Sequence, residues 1–319
     1  MSKYKKKSFA NRSIKTYSLL SRKSKVNIKD FAQAFTPAKS FDRFMNSIPE
    51  IQAGKEFKEF VSLTRQAREK GKSIIFAMGS HVIKVGLSPV IIDLMENGWI
   101  TALAMNGSGI IHDFEIAFSG STSEYVEDQI RDGQFGMAHE TGEMLNDAIC
   151  SGREAELGLG EAVGRMISDS SFPHKDLSLL SVAYRLNIPV TVHVAIGTDT
   201  IHFHPNADGG AIGETSLRDF YLFCSLLEDL EGGGVYINAG SAVLLPEVFL
   251  KGVSLLRNRG VILEDFTTAV FDFMMHYRPF QNVVKRPLGK NGRGFYFIGH
   301  HEIMIPFLAA LLKCGSIQQ

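Results

Sequence analysis

Five stretches of the chain carry side chains able to do chemistry. Gly79-Ser80-His81 and Asn106-Gly107-Ser108-Gly109 put small residues just ahead of expected helix starts. Free N–H groups and the positive end of a helix dipole suit a phosphate there. Neither matches the G-x-G-x-x-G fingerprint, and glycine serving a tight turn is the competing reading. Residues 197–213 (GTDTIHFHPNADGGAIG) hold Asp199, His202, His204 and Asp208. His-x-His on an extended segment would turn both imidazoles to one face, with Asp199 or Asp208 as a third metal ligand. No His-Glu-x-x-His or similar motif supports it elsewhere, so the favoured expectation is a hydrogen-bonded histidine pair and no metal. His300, His301 and Glu302 follow the turn at Gly299, placed to meet a ribose or an amine, or to cap a final helix. Lys285 follows Val283-Val284. Desolvation there would depress its pKa and make it a Schiff-base nucleophile; a surface lysine beside Arg286 is the plainer alternative.

The elements that must position these groups follow from the apolar pattern. Residues 56–70 space Phe57, Phe60, Val61 and Leu63 as a helix that Gly71 ends. Ser73–Met78 and Trp99–Met105 read as fully apolar strands, each followed by a small-residue turn and a helical run. After a helical stretch at 137–186, Pro189–Ile196 reads as a strand, 197–213 as a long loop and 215–230 as a helix. Gly234–Asn238 is then a strand, 241–257 a helix, Thr267–Phe273 and Phe295–Ile298 two more strands, and 301–313 a last helix. Continuous apolar strands alternating with helices predict a doubly wound, mostly parallel α/β sheet with helices on both faces. In such sheets ligands bind beyond the carboxyl ends of the strands, which is where the stretches above fall.

Composition narrows the class. At 319 residues with 45% hydrophobic and 21% charged side chains, the chain can bury a large core, and no apolar run reaches membrane-spanning length. Cys150, Cys224 and Cys314 are odd in number and widely spaced, which argues against a disulfide framework and for a reducing, cytoplasmic setting. Of 34 basic residues, nine lie within 1–25, where there is no acid; the rest of the chain keeps 25 against 34 acidic, a net −9. That balance argues against a broad nucleic-acid surface on the folded part. The expected division is a basic arm at 1–29, read as solvated, and one domain at 30–319.

Taken together, these stretches resemble deoxyhypusine synthase and its bacterial relatives over most of residues 70–312. The resemblance rests on Gly79-Ser80-His81-Val82-Ile83 with Gly86; on Asn106-Gly107-Ser108-Gly109 followed by Asp113; and on Thr198-Asp199. It continues through Gly232-Gly233-Gly234-Val235, Arg278-Pro279 and Ile305-Pro306-Phe307-Leu308. It implies a Rossmann-like NAD-binding fold and a homotetramer with active sites between subunits. It also implies a two-stage chemistry, in which NAD takes hydride from an amine and a lysine captures the resulting imine. The lysine then passes the aminoalkyl group to an acceptor amine, on a protein or on a small diamine. By position, Gly79, Ser80, Asn106, Gly107, Ser108, Asp199 and His300 would lie along NAD. Lys285 would be the covalent lysine, although Phe280–Val284 replaces the Trp-Gly context of the family. His112 stands where the family has a glutamate, and Phe273-Met274-Met275-His276-Tyr277 replaces its carboxylate-rich segment, which points to an amine other than spermidine. The alternatives are a catalytically silent NAD-binding scaffold and a metal-dependent hydrolase using His202, His204 and Asp199.

Overall fold

The computed structural model describes residues 41–314, so the basic arm expected at 1–29 lies outside the described residues. Six strands form one sheet: β1 (Ile74–Met78), β2 (Ala102–Asn106), β3 (Val190–His193), β4 (Gly234–Ala239), β5 (Phe266–Asp272) and β6 (Arg293–Ile298). Their order is β3-β2-β1-β4-β5-β6, and every neighbouring pair is parallel. The registers Met78↔Met105, Met78↔Ala239, Asn106↔His193 and Asp272↔Ile298 bring all six carboxyl ends to one edge. The order reverses between β1 and β4, which opens a crevice at that edge.

Strand side chains alternate between two separate cores, which is why the runs are apolar throughout. Ile74, Phe76 and Met78 pack with Val82, Ile91, Ile110 and Phe114 from the helices after β1 and β2. Ile75 and Ala77 pack with Phe223, Phe249 and Val283 from the opposite layer. The chain therefore leaves β1 and β4 toward opposite faces, as a doubly wound sheet requires. On the first face, Phe57 lies 4.9 Å from Phe297 and 5.3 Å from Phe307, ring centre to ring centre. This aromatic packing seats the last helix, His301–Lys313, so that its first residue meets the strand ends.

Buried carboxylates fix two connections. Asp113 accepts from Ser178 Oγ, Leu179 N and Leu180 N, holding the start of helix Leu179–Arg185. Asp219 accepts from Gly160 N and Val192 N, tying helices Leu159–Asp169 and Gly209–Glu228 to β3. The single helical stretch expected at 137–186 is three helices, His139–Glu154, Leu159–Asp169 and Leu179–Arg185. Likewise 197–213 is not all loop. A 3-10 turn covers Thr200–Phe203, and the next helix starts at Gly209, where Asp208 accepts from Gly210 N and Ala211 N. Among the described residues no helix is long and apolar enough to cross a membrane.

Candidate functional site

The crevice at the strand reversal is a cavity of about 420 Å³, walled by Gly79–His81 after β1, Asn106–Gly107 after β2, His193 and Thr198 after β3, and Gly240–Leu244 after β4. Its two lips touch. Gly79 N donates to Ala239 O at 2.9 Å, and a Cβ on Gly79 would stand 2.2 Å from Gly240 O, so only glycine fits. Gly240 takes a φ of +65°, a left-handed turn that suits the same residue type. Ser108 Oγ donates to Ser80 Oγ at 3.0 Å, linking the loops after β1 and β2.

Helix Gly107–Ser119 begins at the cavity wall with no side-chain cap and no acid in its own first turn. A Cβ on Gly107 would lie 2.0 Å from Asp199 Oδ2, so the missing side chain is what admits this carboxylate to the helix end. Asp199 is buried, and burial pushes it up to about 6. His202 Nδ1 accepts from Gly197 N at 3.1 Å, which leaves the proton on Nε2, 3.8 Å from Asp199 Oδ2. Burial lowers the pKa of His202 and holds the His193 imidazole down to about 3, so both are neutral near pH 7.

Buried polar atoms without a hydrogen-bond partner collect at this edge. Among the described residues they include Asn106 Oδ1, Asp199 Oδ2, His202 Nε2, Asn238 Oδ1 and His301 Nδ1, all at or just beyond strand carboxyl ends. Buried polar groups are ordinarily paired, so such a concentration marks a surface completed by something else. Four of the five are acceptors. The side chains walling the cavity include no lysine or arginine.

Gly79, Ser80, Asn106, Gly107, Ser108 and Asp199, read from the sequence as a set, do come together here. His300 does not join them: it is exposed, with Nδ1 3.9 Å from Glu302. The imidazole that meets the strand ends is His301, 1% exposed, whose Nε2 donates to Phe271 O at 3.0 Å and whose Nδ1 is bare. Adjacent histidines at a helix start point in different directions, and only the aromatic packing beneath decides which one turns inward. Asn238, on β4, and His193 were missed for another reason: each sits inside an apolar strand run and reads as part of it.

Lys285 lies elsewhere. It ends a π-helical turn, Phe280–Lys285, on the segment that returns from β5 toward the amino edge of the sheet. There Val283 O accepts from Thr268 Oγ1, and Pro287 O from Arg257 Nη2. Lys285 is exposed with Nζ 4.3 Å over the Phe280 ring, so the desolvation expected from its valine neighbours is absent. His112 sits one helical turn past Ser108, outside the cavity wall. Its Nδ1 donates to Thr122 Oγ1 at 2.7 Å, and Thr122 donates on to Glu115. Burial, with Lys84 nearby, lowers His112 to about 4. His202 and His204 also fail to converge on a metal. The 3-10 turn sends His204 away, its Nε2 donating to Gly136 O at 2.8 Å, while Asp208 caps its helix. No group of three or more possible metal ligands occurs among the described residues.

No family model and no curated protein matches the chain. Solved structures do. A protein of Entamoeba histolytica with the provisional name deoxyhypusine synthase superposes with a TM-score of 0.52 at 12% identity, covering 88% of this chain and 95% of that one. The complex of AgrE with ornithine and NAD+ gives 0.52 at 14% identity, over 81% of this chain and 32% of that one. ArgZ, a cyanobacterial arginine dihydrolase, gives 0.51 at 16% identity, over 82% and 33%. The chain thus spans about a third of the length of the latter two. These likenesses, with the strand order, show a Rossmann-like doubly wound α/β fold.

Proposed function

We propose that the crevice binds NAD and that the protein is an enzyme acting on an amine. The observation that carries this reading is the set of unpartnered buried polar atoms along the carboxyl edge of a 3-2-1-4-5-6 sheet, Asn106 among them in the crevice wall. The residues fit the dinucleotide. A ribose hydroxyl both donates and accepts, which suits Asp199 Oδ2 and the Nε2–H of His202 side by side. When bound, NAD supplies an acceptor for hydride from the carbon bearing the amine nitrogen.

The chain's own groups orient and handle protons. Asn106 and Asn238 offer side-chain oxygens to ligand N–H or O–H donors. His81, whose pKa burial and His301 lower, is neutral at the cavity wall and can take a proton from the substrate nitrogen. His112 serves at most from outside the wall, its tautomer set by Thr122 and Glu115. Onward transfer of an aminoalkyl group through Lys285, to a small amine or a protein lysine, requires another subunit to deliver that lysine, as in a homotetramer.

Titration of the purified full chain with NAD, followed by calorimetry, tests the reading. Saturable binding that weakens tenfold or more in Asp199→Asn supports it, and no binding at millimolar NAD ends it. Borohydride treatment with NAD and candidate amines then tests transfer, by mass spectrometry of Lys285. NAD binding without turnover or adduct for any amine leaves a silent NAD-binding protein.

A further inference from the structure

The folded part concentrates its negative charge in one stretch. Residues 124–169 hold eleven acidic and three basic side chains, a net −8, which is nearly all of the −9 found beyond residue 25. Within that stretch, helices His139–Glu154 and Leu159–Asp169 enclose a groove of about 660 Å³ that shares no residue with the crevice wall. The two helices touch at Gly152, where a Cβ would stand 2.4 Å from Ala162 Cβ. The groove floor is apolar: Ala148 is buried, and Met144, Leu157 and Met166 are half-buried. Asp147, Glu154 and Asp169 stand exposed on its rim. Arg165, the one basic side chain lining the groove among the described residues, has Nε 3.7 Å from Asp169 Oδ2. Asp147 takes an uncharged partner, Asn206 Nδ2 at 3.0 Å, and Glu154 has no ion pair among the described residues. Two of the three rim carboxylates therefore lack a counter-charge.

The sequence supplies a segment of matching chemistry. Within residues 14–25, four basic side chains accompany Ile14, Tyr17, Leu19 and Leu20, and there is no acid. That segment can reach the groove. Phe41, the first described residue, has its ring 6.4 Å from that of Phe307 on helix His301–Lys313. From this helix the layer runs through Ser88–Glu96 and Leu179–Arg185 to Leu159–Asp169, each packed on the next. Three steps of about 8–10 Å between helix axes make about 30 Å. Residues 26–40, fully extended, span up to about 50 Å.

We propose that the groove between helices His139–Glu154 and Leu159–Asp169 is the docking site of the chain's own residues 14–25, basic side chains on the acidic rim and apolar ones on the methionine floor. Exposed ion pairs alone hold little, so the floor matters: methionine adapts to irregular apolar partners, and covalent attachment makes the docking intramolecular. A nucleic acid would take up the basic side chains and leave the floor bare.

The test is zero-length carbodiimide coupling on the full chain at pH 7 and low salt, in an equal mixture of ¹⁴N- and ¹⁵N-labelled protein, read by mass spectrometry. Lys15, Lys23 and Lys25 should couple to Asp147, Glu154 or Asp169 within one label, and the yield should fall at least fivefold in molar salt. Glu154→Lys, at an exposed position with no ion pair to lose, should lower coupling to Asp147 and Asp169 at least threefold. The floor is read separately. Combining Lys15→Gln, Arg22→Gln, Lys23→Gln and Lys25→Gln should shift the methyl NMR signals of Met144 and Met166 and leave that of buried Met105 in place. Coupling chiefly to carboxylates outside the groove, coupling between labels, or unmoved Met144 and Met166 signals each overturns the proposal. Absence of any coupling overturns it as well, and binding of a short DNA that the fourfold variant loses then assigns these basic residues to nucleic acid.

Discussion

Replacing Gly107 by alanine separates two effects of opposite sign. The position has no positive φ, so alanine is permitted by the backbone, and at a helix start it could gain up to about 1 kcal/mol over glycine. Against this, the new Cβ would stand 2.0 Å from Asp199 Oδ2 and 2.7 Å from its Cγ. The carboxylate must retreat by roughly 1 Å or more to reach ordinary contact. Asp199 is 5% exposed and has little room to do so. Overpacking of this kind costs about 1–3 kcal/mol, so Gly107→Ala should lower stability by about 0–2 kcal/mol. Displacing the carboxylate also removes a hydrogen bond to a charged group, worth about 1.5–3 kcal/mol, so NAD affinity should fall roughly 10- to 100-fold. The decisive measurement is a double-mutant cycle with Asp199→Ala, using urea unfolding. Once the carboxylate is gone, Gly107→Ala should become neutral or stabilising. Equal cost in both backgrounds, or NAD affinity unchanged in Gly107→Ala, would refute the steric argument.

Further outcomes follow from the buried carboxylates and from Lys285. Asp113→Ala strips the acceptor from Ser178, Leu179 and Leu180 and should cost about 3 kcal/mol or more, read as a lower urea midpoint. Burial pushes Asp219 up to about 7. Its neutral form therefore contributes stability that is complete below about pH 4 and lost as pH rises through 7. Asp219→Asn should gain on wild type across that window in urea titrations, and parallel curves would contradict it. The opposite sign holds for His193, held down to about 3: its contribution is present above about pH 6.5 and fades below it, a trend His193→Gln should flatten. Lys285→Ala should lose no more than about 1 kcal/mol, the scale of an exposed cation–ring contact, and bind NAD as wild type does in calorimetry.

Much of the fold was legible because strands buried on both faces write themselves as unbroken apolar runs. Each strand expected from such a run lies within a few residues of its observed bounds. Trp99–Thr101 is the informative exception at an element edge. Arg68 stacks 4.3 Å over Trp99, and Thr101 Oγ1 binds Ile74 N, so these residues are occupied before β2 begins. Helix starts within 197–213 were not legible, because the 3-10 turn and the Asp208 cap depend on local hydrogen bonds rather than periodicity. The small residues at the crevice were found because close approach demands them. Asn238 was not, and His301 was singled out only together with His300, with His300 preferred for the cofactor, since nothing in their neighbours tells an inward polar side chain from an ordinary one.

Local chemistry along the chain was enough to determine a layered α/β sheet and the loops at which ligands could bind, because burial and turn geometry act within a few residues. Only the tertiary structure decided that β4 lies beside β1, that His301 rather than His300 turns inward, and that Lys285 runs back toward the far edge. Those outcomes depend on strand order and on packing between segments far apart in the chain, such as Phe57 against Phe307, and no short-range pattern encodes them.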